Sequence, residues 1–288
     1  MLVIILTAGC GGQAAPPSAE AVARQAEDSA GVRIAKLVRL DYGPAMPAPP
    51  AEDDLVVPVD IGECDESRTT GVMRLGADAS DLTTTFHRTN VPGEVKLVPD
   101  DLSSMTTRAI SIDGSGTYEH RADRRDVPAG KTWLHHSGSG CGTLERAVGS
   151  LDLRAILSPE VLRKLTAPAP SPSPSPGEVI DGVATVVHAG SAARSDFGGH
   201  APGVDPATLE VLRERFRSVE VSWRLWAGPD GLPRRLRLEE AVPAAEEGEP
   251  RTSVTEIDFT GWGSDVAIVA PPGEQVHETR SCLAAEPR

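Results

Sequence analysis

Apolar and polar residues alternate along much of this chain with the two-residue period of strands, not the longer period of helices. Val32-Arg33-Ile34-Ala35-Lys36-Leu37-Val38-Arg39-Leu40 opens the series. From Val56 to Leu134 short strand patterns follow, among them Thr70–Leu75, Val95–Val98 and Arg108–Ile112, separated by turn residues. Asp113-Gly114-Ser115-Gly116 supplies a reversal into Thr117-Tyr118-Glu119-His120, and Lys131–His135 closes this half. Such spacing predicts an antiparallel meander.

The second half repeats the pattern. Val179–His188 reads as a strand. Val219, Val221, Trp223 and Leu225 alternate with Glu220, Ser222 and Arg224, after which Pro229-Asp230-Gly231 turns the chain into Leu236 and Leu238. Thr255–Phe259 and Asp265–Val269 are predicted as a last strand pair before Pro271-Pro272.

Helical periods interrupt the strands in three places. Ser18 to Gly31 has a capping serine and a closing glycine. Leu144, Val148, Leu151 and Ala155 form an apolar stripe, and Ser158-Pro159 starts a further helix that runs to Leu165. Asp205-Pro206 begins the clearest one, with Leu209, Leu212 and Phe216 on a single face. Residues 167–177, with their Pro-Ser alternation, are expected to form an extended surface loop.

The N-terminus changes the picture of where the protein works. Met1 to Leu6 is apolar, and Leu6-Thr7-Ala8-Gly9-Cys10 reads as a lipoprotein cleavage site. Residues 1–10 are expected to be a signal segment ending at a lipidated Cys10, 11–17 a flexible tether, and 18–288 a single domain. The anchor would hold the protein at the outer face of the cell membrane through acyl chains such as palmitate. The stretch before Cys10 lacks Lys and Arg, and Thr7 stands where such sites usually carry Leu.

Charge and cysteine content narrow the partners. With 28 Lys and Arg against 42 Asp and Glu, a formal charge of −14 repels phosphate backbones and argues against nucleic acid. The initial apolar run is far shorter than the about 20 residues a spanning helix needs. Cys64, Cys141 and Cys282 are widely spaced, and at most two of them can pair, in a disulfide suited to an oxidising compartment. No metal site and no cofactor are expected.

His135-His136 near Cys141 suggests a thiol nucleophile with a neighbouring base, but the Ser137-Gly138-Ser139-Gly140 spacer does not fix that geometry. Gly138–Gly142 and Asp113–Gly116 lack the lysine and helix start of a phosphate-cradling loop. Asp53-Asp54 and Asp100-Asp101 read as solvated loop acids, and Glu239-Glu240 and Glu246-Glu247 as acidic clusters. The chain is expected not to be an enzyme.

Several motifs together resemble a known family. They are Gly182 with its following strand, the Asp205-Pro206 helix, the Trp223-to-Leu238 hairpin with Gly231-Leu232-Pro233-Arg234-Arg235, and Phe259-Thr260-Gly261-Trp262-Gly263 leading into Ile268-Val269-Ala270-Pro271-Pro272. Over residues 179–276 the chain is similar to the actinobacterial LppX and LprG lipoproteins, whose domain resembles the lipoprotein carrier LolA. The first half fits more loosely, through Asp113-Gly114, Tyr118 and Gly130–Leu134. The resemblance implies an α+β, mainly β fold, a curved antiparallel half-barrel with helices packed on its concave face. It also implies an apolar cavity for a lipid or glycolipid. Leu209, Leu212, Phe216, Val221, Trp223, Leu225, Leu236 and Leu238 are the expected walls. The competing reading is a non-catalytic envelope interaction or sensory protein with a filled core and a protein partner.

Overall fold

The computed structural model describes residues 24–26, 30–41, 66–77, 79–87, 104–121, 127–136, 153–166, 175–197, 219–242 and 251–279. Its strands are β1 (Val32–Asp41), β2 (Glu66–Arg74), β3 (Ala79–His87), β4 (Ser104–Ile112), β5 (Gly116–Arg121) and β6 (Trp133–His136) in the first half. The second half supplies β7 (Ser175–Ile180), β8 (Val183–Ala193), β9 (Glu220–Ala227), β10 (Pro233–Val242), β11 (Arg251–Thr260) and β12 (Val276–Thr279). Two short helices, α1 (Leu153–Ile156) and α2 (Pro159–Thr166), lie between the halves in sequence. All strands join one 12-stranded sheet in the order β12-β6-β5-β4-β3-β2-β1-β11-β10-β9-β8-β7. The first strand in sequence thus sits at the centre, paired to β2 on one side and β11 on the other.

Strand alternation decides which face is buried. In β1 the even positions Val32, Ile34, Lys36 and Val38 are buried. Register carries that face across the second half: Lys36 stands opposite Ile257, Ile257 opposite Leu236, and Leu236 opposite Leu225. Val32, Ile34, Met73, Val221, Trp223, Leu225, Leu236, Leu238, Ile257 and Phe259 form one core with Leu153, Ile156, Leu157, Val161 and Leu165 from the α1–α2 region. Burying each such side chain contributes about 1.5–3 kcal/mol. The same face is more polar across the first half, where Lys36, Thr69, Thr84 and Thr107 lie in register and Thr69 and Thr84 share a 2.9 Å hydrogen bond.

This architecture corrects the expected α+β half-barrel with helices packed on a concave face. Among the described residues the fold is mostly β, an open mixed sheet with α1 and α2 as short helices. The helix expected to start at Ser158-Pro159 is present as α2, and Ser158 Oγ accepts the Val161 N–H at 3.3 Å at its start. The sheet is mixed because the chain beyond Gly263 does not form the strand expected over Asp265–Val269. It runs on outside the ladders to Pro271-Pro272, makes a short 3-10 turn at Gly273–Gln275, and enters the edge as β12, parallel to β6.

At the opposite edge, the expected loop ends early, and Ser175-Pro176-Gly177 belongs to β7. A register shift between Pro176 and Val179 accommodates the missing proline N–H at an edge position. The strand expected over Val179–His188 is in fact a hairpin, turned by Asp181 (φ 48°) and Gly182 (φ 77°), an Asp-Gly pair suited to a tight reversal. Val95–Val98 and the Asp205-Pro206 helix lie outside the described residues, and of the Ser18–Gly31 helix only Arg24–Ala26 is described, as helical.

Candidate functional site

Three reversals converge at one end of the second half-sheet: the Asp181-Gly182 turn, the Gly228–Leu232 turn and the Thr260–Gly263 segment that follows β11. Antiparallel pairing of β8, β9, β10 and β11 requires this, because it brings the start of β8, the end of β9, the start of β10 and the end of β11 together. Between them lies a cleft of about 580 Å³, lined by Gln25, Asp181, Val183, Asp230, Leu232, Arg234 and the Phe259–Gly263 segment. Such a volume falls within the range of small-ligand sites.

Its geometry is fixed by hydrogen bonds. Asp230 accepts the Leu232 N–H on Oδ1 at 3.1 Å and Arg234 Nη2 on Oδ2 at 2.6 Å, so one carboxylate shapes the turn and orients the guanidinium. Gly228 leaves room for both: a Cβ there would stand 2.6 Å from Asp230 Oδ1 and 3.3 Å from Arg234 Nε. Trp262 donates its indole N–H to Pro233 O at 2.8 Å, and its ring lies 6.1 Å from that of Phe259. Arg234 Nε is buried without a hydrogen-bond partner among the described residues.

These are the same segments that carried the resemblance in sequence, Gly182, Gly231–Arg235 and Phe259–Gly263. Read singly they mark strand ends; the cleft they build together depends on strand order, which no local pattern shows. Five of the eight expected cavity walls are described. Val221, Trp223, Leu225, Leu236 and Leu238 are all buried, none by less than 94%, and all belong to the packed core; none lines the cleft. Leu209, Leu212 and Phe216 lie outside the described residues, as do Cys10, Cys64, Cys141, Cys282, Asp53-Asp54, Asp100-Asp101 and Glu246-Glu247.

The two adjacent histidines have structural partners. His135 Nε2–H donates to Ser115 O at 2.6 Å, its Nδ1 lies 2.6 Å from Glu278 Oε2, and its ring stacks on Tyr118 at 4.3 Å. Thr279 Oγ1 donates to His135 O at 2.8 Å and therefore accepts from His136 Nδ1–H at 3.0 Å. Both rings thus fasten β12 to β6.

Glu240 departs from its expected place in an acidic cluster. Even positions of β10 point to the core, so Glu240 is buried there and pairs with buried Arg194 at 2.7 Å, while Glu239 is exposed. Burial pushes the Glu240 carboxyl up against the pull of Arg194 and Lys36, and burial also lowers the Arg194 guanidinium. Burial likewise lowers His188, whose partner across the ladder is Leu225.

Among the described residues no group of three or more His, Cys, Asp or Glu side chains is placed to hold a metal ion. None of their helices is long and apolar enough to cross a membrane. Compared with protein-family models and with curated proteins, the chain matches none.

Proposed function

We propose that the chain is a non-catalytic binding module of the cell envelope, tethered to the outer face of the membrane through Cys10, with a filled core and a ligand or partner engaged at its surface. The observation that carries this reading is the packing of Val221, Trp223, Leu225, Leu236 and Leu238 into one core with Leu153, Ile156, Leu157, Val161 and Leu165. These five of the eight side chains expected to wall a lipid hollow are engaged by one another and by the α1–α2 region. A net charge of −14 adds a surface that disfavours anionic polymers and suits a neutral or basic partner.

A second reading, the carrying of a lipid or glycolipid, draws on the apolar walls of the cleft, Val183, Leu232, Phe259 and Trp262. Native mass spectrometry of full-length protein purified from a related host separates the two. The surface-binding reading predicts a mass equal to chain plus anchor alone; an additional acyl lipid held in stoichiometric amount would overturn it. The tether has its own check. Cys10→Ala is expected to leave the protein unprocessed or released into the medium, whereas wild-type membrane retention and palmitate labelling would contradict the anchor.

A further inference from the structure

Arg234 brings to the cleft a guanidinium that is only partly used. Its Nη2 donates to Asp230, while Nε–H has no acceptor among the described residues. Nε itself is shut off from solvent, so what a ligand in the cleft can meet of Arg234 is the 14% of its side chain that stays exposed. Asp230 stands against it, and Asp181, Thr260, Gln25 and Trp262 line the same cleft.

The chemistry of a matching ligand follows by elimination. An anion would answer the guanidinium but meet two carboxylates against one cation. A cation would find only Asp181 uncommitted, since Arg234 occupies Asp230, and one exposed carboxylate holds a cation weakly. A wholly apolar ligand would strip water from the charged groups and return nothing to them, a costly burial. A neutral hydroxyl meets every demand at once, because its oxygen accepts from an arginine N–H while its own hydrogen goes to a carboxylate. Adjacent hydroxyls on a rigid ring repeat that pattern, and the ring's C–H face can lie against Trp262.

We propose that this cleft is a saccharide site taking a neutral, polyhydroxylated ring, with Asp181, Asp230 and Arg234 reading its hydroxyls and Trp262 supporting its apolar face. The proposal rests on the reading of the chain as an envelope binding module and names the ligand class of that surface. A volume of about 580 Å³ accommodates a mono- or disaccharide unit of a longer glycan.

The test uses the full-length protein on an immobilised panel of neutral, uronic and phosphorylated oligosaccharides, followed by calorimetric titration with the best neutral binder. Preferential binding of neutral glycans is expected. Asp181→Asn, at an exposed left-handed position that asparagine tolerates, should weaken that binding by about tenfold with an unchanged melting temperature. Arg234→Lys, which keeps the charge and loses the planar donor edge, should do the same. Three outcomes would overturn the proposal: no neutral glycan bound at millimolar concentration, preference for the phosphorylated or uronic members, or undiminished affinity in both variants. None of them requires a co-purifying acyl lipid, so failure of the saccharide site and failure of the filled-core reading are told apart.

Discussion

The Arg194–Glu240 contact places two ionisable side chains, 8% and 3% exposed, 2.7 Å apart beside the apolar core. Desolvation is the first cause of the shift on each partner and works against its charged form. Attraction therefore does not repay the full cost of burial, and the pair stabilises less than its geometry suggests. Removing one partner is different, because it takes from the other a close buried contact of opposite charge. Glu240→Ala or Arg194→Ala alone should cost about 3–5 kcal/mol in urea unfolding, while the double change Arg194→Met, Glu240→Leu should cost far less or nothing. The pH response has a definite sign. A carboxyl raised by folding holds its proton to higher pH in the native state than in the unfolded chain, so its contribution is complete at low pH and is lost as pH rises through its folded value. The urea midpoint of the wild type should thus fall relative to Glu240→Gln as pH rises above 4.5, the ordinary glutamate value; a difference that stays flat would show that folding leaves Glu240 unshifted. In sequence, Glu240 reads as part of an acidic cluster with Glu239, although the alternation that points Leu236 and Leu238 inward continues to position 240. Its partner was not legible, since nothing local marks an arginine just after β8 as the group beneath β10.

Among the elements, those with strict alternation and a turn at each end were the readable ones. β1, β5, β9, β10 and β11 lie where the sequence predicts strands, because a half-buried strand needs only its own pattern and a reversal beside it. β12 was not readable. Val276-His277-Glu278-Thr279 has little alternation, and its place comes from β6 and from the two histidines that hold it. Asp265–Val269 has the better strand pattern and forms no ladder, as a following proline pair allows. Pairing also fixes residue size. Gly190 lies opposite Trp223, and a Cβ there would stand 2.8 Å from the indole ring. Glycine in β8 is therefore the space that lets Trp223 lie flat over the neighbouring strand. Gly190→Ala should destabilise by about 1–3 kcal/mol, with a shift in tryptophan emission that reports the displaced ring. Unchanged stability and emission would mean that the ring moves aside freely.

The order of strands in the whole molecule makes β1 the seam between two halves. β2 to β6 extend from one side of it and β11 back to β7 from the other, while β12 crosses from the end of the second half to the edge of the first. The core has the same arrangement, since Val32, Ile34 and Met73 share it with Leu225, Leu236, Ile257 and Phe259. No pattern within either half announces this, because each reads as its own meander and only the long-range pairing of residues near position 36 with those near 257 joins them. Joined in this way, the halves should unfold together. A proline at Leu37, inside the doubly paired strand, removes a ladder donor and fixes φ where the strand must stay extended, a change costing about 3 kcal/mol or more. Amide exchange should then report lost protection in both β2–β4 and β9–β11, with a single unfolding transition in the wild type. Loss confined to β2–β4, with β9–β11 still protected, would show that the second half folds alone. A fragment beginning near Ser175 would then lose only Gln25 of the cleft lining and should retain glycan binding. If the seam is obligatory, that fragment binds nothing, and the site exists only in a molecule whose first strand has been placed at its centre.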